Sequence, residues 1–253
     1  MQNSDAVRQY IMHHVTDSHE WALPFLKVQL PPWLSLHALM VLLGAGFLLL
    51  LFGVFYRRHD AVPRGLTNVL EMFVSFIHKQ VSIPCLGKED ARRMTPLFCG
   101  FFFFILILNF MGLIPLFATA TANIGVTGPL AIITLGFMIF GSIYRHGVLG
   151  FLKLFTPHGV PWPILILVAP LEFISMFVKA FALTVRLFAN MLAGHIVIFA
   201  LLGLVVMMGW MALPAVLMAA LIYILEIFIA FLQAFIFTLL SAMFIGQMYH
   251  PQH

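Results

Sequence analysis

From Ile164 to Met208 the chain is almost wholly apolar and has no proline after Pro170. The roughly 39 residues from Pro170 onward, as a helix, would measure about 58 Å, and an upright helix needs only about 20 residues to cross a ~30 Å hydrocarbon core. The excess predicts a steeply tilted helix. Gly209 and Trp210 mark a turn, Pro214 suits a first helical turn, and a second apolar run reaches Gln247. Two long tilted arms, over 164–208 and 212–247, form one solution; two shorter helices separated by a kink form the other.

Composition identifies the solvent. Hydrophobic residues make up 62% of the chain and charged residues 9%, with a mean hydropathy of +1.06, a balance incompatible with a soluble globular domain. The net charge of +4 comes from basic residues scattered through loops, with no aromatic-interleaved patch. This excludes nucleic acid as a partner and fits the positive-inside rule. The N-terminal stretch MQNSDAVRQYIMHHVTDSHEW has no apolar signal region or small-residue cleavage site, and Asp5, Asp17 and Glu20 argue against a transit peptide. Cys85 and Cys99 lie in or beside apolar segments without a partner motif and are expected as buried free thiols. No nucleotide-binding G-x-x-x-x-G-K-[ST] and no metal cluster occur, so no cofactor and no catalytic nucleotide site are expected; His13, His14 and His19 read as a solvated terminal segment.

The fold class expected is an all-α polytopic membrane protein forming one membrane domain over 1–253. An outer-side segment (1–33) precedes a first span (34–56), an interfacial amphipathic helix (65–83), a second span (97–117), a third (126–144) and the hairpin, so about three helices stand upright. In the amphipathic helix Leu66, Val69, Leu70, Phe73, Val74 and Ile77 recur at helical spacing opposite Asn68, Glu71, His78 and Lys79. Arg57, Arg58, Arg64, Lys79, Lys88, Arg92 and Arg93 crowd the loop between the first two spans, which places that loop inside, the N-terminus outside and the C-terminus inside.

Ionisable side chains inside the apolar arms are functional candidates, because a charge near the bilayer centre costs from about 3 to over 10 kcal/mol. Glu172, Lys179 and Arg186 recur every seven residues and stay within about 40° on one helix face, with Asn190 continuing the stripe. His195 is rotated by roughly 180° from Arg186. On the second arm Glu226 and Gln233 share a face. If the arms are antiparallel about residue 210, His195 falls level with Glu226, and Arg186 with Gln233 and Asn190. Arginine cannot deprotonate, so it can attract a carboxylate and block protons but not relay them. Histidine and a buried glutamate can both exchange protons near neutral pH. No acid of this chain lies level with Arg186, which points to a carboxylate on another protein.

The segments VRLFANMLAGH and YILEIFIAFLQAFIFTLL resemble the signature region of the subunit a family of the F-type ATP synthase. DSHEW, NFMGLIP, TATANI and PLEFISMFVKAFALTVRLFAN are similar as well. The resemblance implies that Arg186 is the essential stator charge facing the carboxylates of a c-ring, bordered by Asn190 and Gln233. It implies an outer proton path through His195 and Glu226, which hold the acid and imidazole in an order similar to mitochondrial members. It implies an inner path near Glu172, Ser175 and Lys179. Gly112 and Ala122 stand where some relatives carry aspartates, so the outer path here leans also on Asn109, Asn123 and water.

The mechanism so implied has two offset half-channels separated by Arg186, coupling proton flow to ring rotation and ATP synthesis. Its partners are the c-ring, the peripheral-stalk b subunits, the rest of the FoF1 complex and lipid. The expected location is a bacterial plasma membrane, with a mitochondrial inner membrane as the alternative. A sodium-coupled version of the same subunit and a stand-alone ion-coupled secondary transporter are the rival readings; the latter calls for inverted repeats, which the sequence lacks.

Overall fold

The computed structural model describes residues 20–22, 27–31, 34–55, 65–114, 117–156, 161–208 and 213–250. His13, His14 and His19, and the turn at Gly209 and Trp210, lie outside these. A short antiparallel ribbon, β1 (Glu20–Ala22) and β2 (Lys27–Gln29), pairs Trp21 with Val28; no alternation in the sequence announces it. Among the described residues six α-helices follow: α1 (Leu36–Leu50), α2 (Leu66–Ile77), α3 (Ile83–Leu113), α4 (Ile124–Lys153), α5 (Trp162–Met208) and α6 (Leu213–Tyr249). π-helical turns extend α1 over Leu51–Phe55 and bridge α2 to α3 over His78–Ser82, and a 3-10 turn at Ala120–Ala122 precedes α4. Five helical stretches, Leu36–Val54, Thr67–Leu113, Ile124–Lys153, Pro163–Val205 and Leu213–Tyr249, are long and apolar enough to cross a membrane. The chain is an all-α polytopic membrane protein.

Local chemistry explains the boundaries. Ser35 caps α1 by accepting from the Ala38 amide at 3.3 Å, satisfying one of the helix's orphan donors. The stretch expected as an interfacial helix over 65–83 and the second span join in one path, broken at Gly87 (φ 75°) rather than by a loop. Gly147 (φ 73°) breaks α4 likewise, and the helix continues beyond residue 144 to Lys153. Both residues sit at positive φ, where a Cβ would be strained, so glycine is the residue that permits each bend. No such break interrupts α5 after Pro170: its 47 residues run as one helix, as do the 37 of α6.

The described chain divides into two compact units. The first comprises Met1–Phe52, Phe103–Thr127 and Arg186–Ala234; the second comprises Gly53–Phe102, Gly128–Val185 and Phe235–His253. In the first, Met40, Leu108 and Ala120 form one buried cluster, and Leu113, Ala122, Met191 and Ala230 another. The Asn109 Nδ2 donates 3.1 Å to the Ala230 carbonyl, tying α3 to α6. His37, in the first turn of α1, is buried here.

In the second unit Phe101 packs edge-on against Phe237 with ring centroids 5.6 Å apart, and Thr134 and Ser241 share a hydrogen bond of 3.1 Å. The end of α6 is held by α3 and α4. Ser142 donates to the Met248 carbonyl, His146 meets that of Tyr249, and His250 reaches Asp90, which also pairs with Arg145. Cys85 is half-buried and Cys99 buried, both as free thiols.

Candidate functional site

In the first unit, α5 and α6 bring His195 and Glu226 together: Nδ1 lies 2.8 Å from Oε1, with the two side chains 13% and 4% exposed. A charged pair so far from water holds together only with good geometry and further hydrogen bonds. The imidazole has them. Its Nδ1 also lies 2.9 Å from the Met191 carbonyl, and its Nε2 lies 3.0 Å from the Gly112 carbonyl and 2.8 Å from Thr119 Oγ1. Glycine at 194 makes the approach of the carboxylate to α5 possible, because a Cβ there would meet Glu226 Oε1 at 2.5 Å.

One helical level away, Asn190 Nδ2 donates 2.8 Å to Gln233 Oε1. Arg186 is exposed and makes no hydrogen bond or ion pair with any described residue. Asn109 is fully buried but bonds the α6 backbone rather than the histidine, and Asn123 turns its Oδ1 onto the Gly125 amide at 2.8 Å. Neither is brought into contact with His195. Four buried polar atoms of this unit have no hydrogen-bond partner among the described residues: Asn109 Oδ1, Thr121 Oγ1, Glu226 Oε2 and Gln233 Nε2; Glu226 Oε1 has the close His195 Nδ1 alone, a contact in which the ring N–H is aligned with the Met191 carbonyl.

The second unit holds the remaining candidates. Glu172 and Lys179 line a cavity of about 850 Å³ together with Cys85, Phe155, Gln247 and His250. The Lys179 ammonium donates 3.1 Å to Gln247 Oε1 and lies 5.6 Å above the Phe244 ring. Ser175 Oγ donates to the Glu172 main-chain carbonyl at 2.7 Å, a local helical bond that does not involve the Glu172 carboxylate.

Several contacts at the site had no sequence signal. Thr119 and Gly112 touch His195, Tyr223 donates 3.0 Å to the Leu113 carbonyl, and Gln247 meets Lys179. Thr119 opens the TATANI stretch, whose small residues point to no contact with His195, and Gly112 participates through its carbonyl, which no residue type encodes.

A family model described as ATP synthase A chain matches residues 38–246. The chain belongs to that family. It is 45% identical over 239 residues to the ATP synthase subunit a of Anaeromyxobacter sp. (strain Fw109-5), a match covering 92% of this chain but 58% of the relative. The chain therefore spans little more than half of that relative's length. It is likewise 45% identical over 261 residues to ATP synthase subunit a of Chloroherpeton thalassium, covering 96% of this chain and 77% of the relative. Against the subunit a of Anaeromyxobacter dehalogenans (strain 2CP-C) the identity is 40%, with 96% and 71% covered. Membership of the ATP synthase A chain family accords with five helices suited to a bilayer, and the match takes in every candidate residue from Asn109 to Gln233.

Proposed function

We propose that the chain is the proton-translocating stator subunit of an F-type ATP synthase in a bacterial plasma membrane, held by the peripheral stalk against a ring of c subunits. The observation that carries this reading is Arg186, a permanent cation on a membrane helix, exposed and without a partner among the described residues. A charge so placed needs a counter-charge at that depth, and a carboxylate passing on a neighbouring ring supplies one.

The outer path runs through His195 and Glu226, which can hand a proton from one to the other across 2.8 Å. The unpaired polar atoms of Asn109, Thr121, Glu226 and Gln233 support this reading, since buried polar groups without a protein partner ordinarily bond water. A proton delivered there neutralises a ring carboxylate that has left Arg186, and the neutral form can enter lipid. The inner path runs through the cavity lined by Glu172 and Lys179, where the carboxylate ionises again. All the outer-path residues fall in the first unit and all the inner-path residues in the second. The fixed charge of Arg186 blocks a proton that would bypass the ring carboxylates. The membrane potential contributes about 2.3 kcal/mol per charge per 100 mV. The nucleotide chemistry belongs to the rest of the complex.

The test is Arg186→Ala in the intact complex in liposomes, with ATP-driven proton pumping and passive proton leak both measured. Abolished pumping with a retained or raised leak is expected. Normal pumping overturns the reading.

A further inference from the structure

We infer that Thr119 is a positioning residue of the outer proton path, holding His195 in line with Glu226 in both protonation states of the imidazole. The inference rests on the path through His195 and Glu226 proposed above, and it adds a residue to that path.

The contacts of His195 are lopsided. Its Nδ1 faces the Met191 carbonyl at 2.9 Å and Glu226 Oε1 at 2.8 Å, and its Nε2 faces the Gly112 carbonyl at 3.0 Å. Main-chain carbonyls only accept hydrogen bonds. A ring that moves protons must at some moment present a bare nitrogen, and a bare buried nitrogen beside carbonyl oxygens alone is unpaired. Thr119 Oγ1, 2.8 Å from Nε2, is the exception, because a hydroxyl both accepts and donates. With Nε2 protonated the hydroxyl accepts from the ring, or leaves that bond to Gly112 and itself donates to the Gly112 carbonyl at 3.4 Å. With Nε2 bare it rotates and donates to the ring. Either way the imidazole stays where Nδ1 meets Glu226.

The surrounding packing fixes Thr119 for this task. Its side chain is buried at 7% exposure, just ahead of the 3-10 turn at Ala120–Ala122. Glycine at 112 leaves it room: a Cβ there would stand 2.8 Å from Thr119 Cγ2 and 3.3 Å from its Cα. Glu226 is the ionisable side chain in contact with the ring; Tyr223, from the same helix, directs its hydroxyl to the Leu113 carbonyl instead.

The experiment compares Thr119→Val, which keeps the shape and deletes the hydroxyl, with Thr119→Ser, which keeps the hydroxyl and deletes the methyl. Both are measured in the intact complex in inverted membrane vesicles, as ATP-driven proton pumping across a pH series, normalised to assembled subunit. His195→Ala serves as the reference. Thr119→Val is expected to lower pumping roughly fivefold, the order of one hydrogen bond, and to displace the pH midpoint by about half a unit or more. Thr119→Ser is expected to stay within about twofold of wild type with an undisplaced midpoint. If valine hinders assembly, Thr119→Ala replaces it. Unaltered pumping and pH dependence in the variant lacking the hydroxyl, where His195→Ala is impaired, overturns the inference. So does serine failing alongside valine, because the methyl packing would then be what matters. A fully active His195→Ala would sink the proposed outer path itself, a failure distinguishable from that of Thr119.

Discussion

Gly194→Ala adds one methyl group against the carboxylate of Glu226, and the structure sets the size of its effect. The new Cβ would lie 2.5 Å from Oε1, 3.0 Å from Cδ and 3.4 Å from Cγ of Glu226. Restoring an ordinary contact of 3.4 Å requires Oε1 to retreat by roughly 0.9 Å, and a retreat away from the ring would stretch the 2.8 Å contact with His195 Nδ1 to as much as about 3.7 Å. That is beyond hydrogen-bond range. Proton transfer needs donor and acceptor within that range, and losing a charge-assisted contact costs about 1.5–3 kcal/mol, so proton transfer through the pair should slow by roughly tenfold or more. Alanine also favours helix over glycine by about 0.8–1 kcal/mol, which offsets part of the overpacking cost to the fold but does nothing for the lost contact. Near-normal amounts of assembled complex with strongly reduced ATP-driven pumping are therefore expected. Glu226→Asp, one methylene shorter, makes room for the methyl, and the double variant should pump better than Gly194→Ala alone. Wild-type pumping by Gly194→Ala, or no relief in the double variant, would refute the reasoning.

Two further outcomes follow from close approaches elsewhere. Gly246→Ala would set a Cβ against the Cys85 carbonyl, with the carbonyl carbon at 3.0 Å; a backbone group cannot rotate aside, so overpacking of about 1–3 kcal/mol should appear as less assembled subunit and easier thermal dissociation. Tyr223→Phe removes a 3.0 Å bond to the Leu113 carbonyl at the end of α3, and a loss of roughly 0.5–1.5 kcal/mol should lower the thermal midpoint while leaving the pH dependence of pumping in place.

Much of the architecture follows from local pattern. Unbroken apolar runs have few alternatives in a bilayer, where every backbone group must be satisfied within a helix, so five membrane-competent helices and the length of α5 and α6 are legible from composition and the positions of proline and glycine. The pairing of His195 with Glu226 is legible too, and the level expected to group Arg186 with Gln233 and Asn190 brings the two amides into contact while Arg186 bonds neither. Antiparallel arms with a rise of 1.5 Å per residue match heights by simple counting from their turn. Gly87 and Gly147 are visible as glycines, but nothing in their neighbourhoods says that both take positive φ.

Counting along a helix gives heights and faces, and it ends where a contact depends on a third element. Asn109 and Asn123 have the right residue type for a polar path, yet one bonds the α6 backbone and the other its own turn. Lys179 lies on the stripe with Glu172 but reaches Gln247, 68 positions away. Thr119 meets His195 only because a turn ahead of α4 folds against α5, and Gly112 contributes a carbonyl that every residue possesses. The sequence by itself determined which helices form, which charges they carry into the membrane and which polar residues stand level. Tertiary structure alone decided what each polar group touches, because hydrogen-bond partners distant in the chain are chosen by packing and leave no period behind.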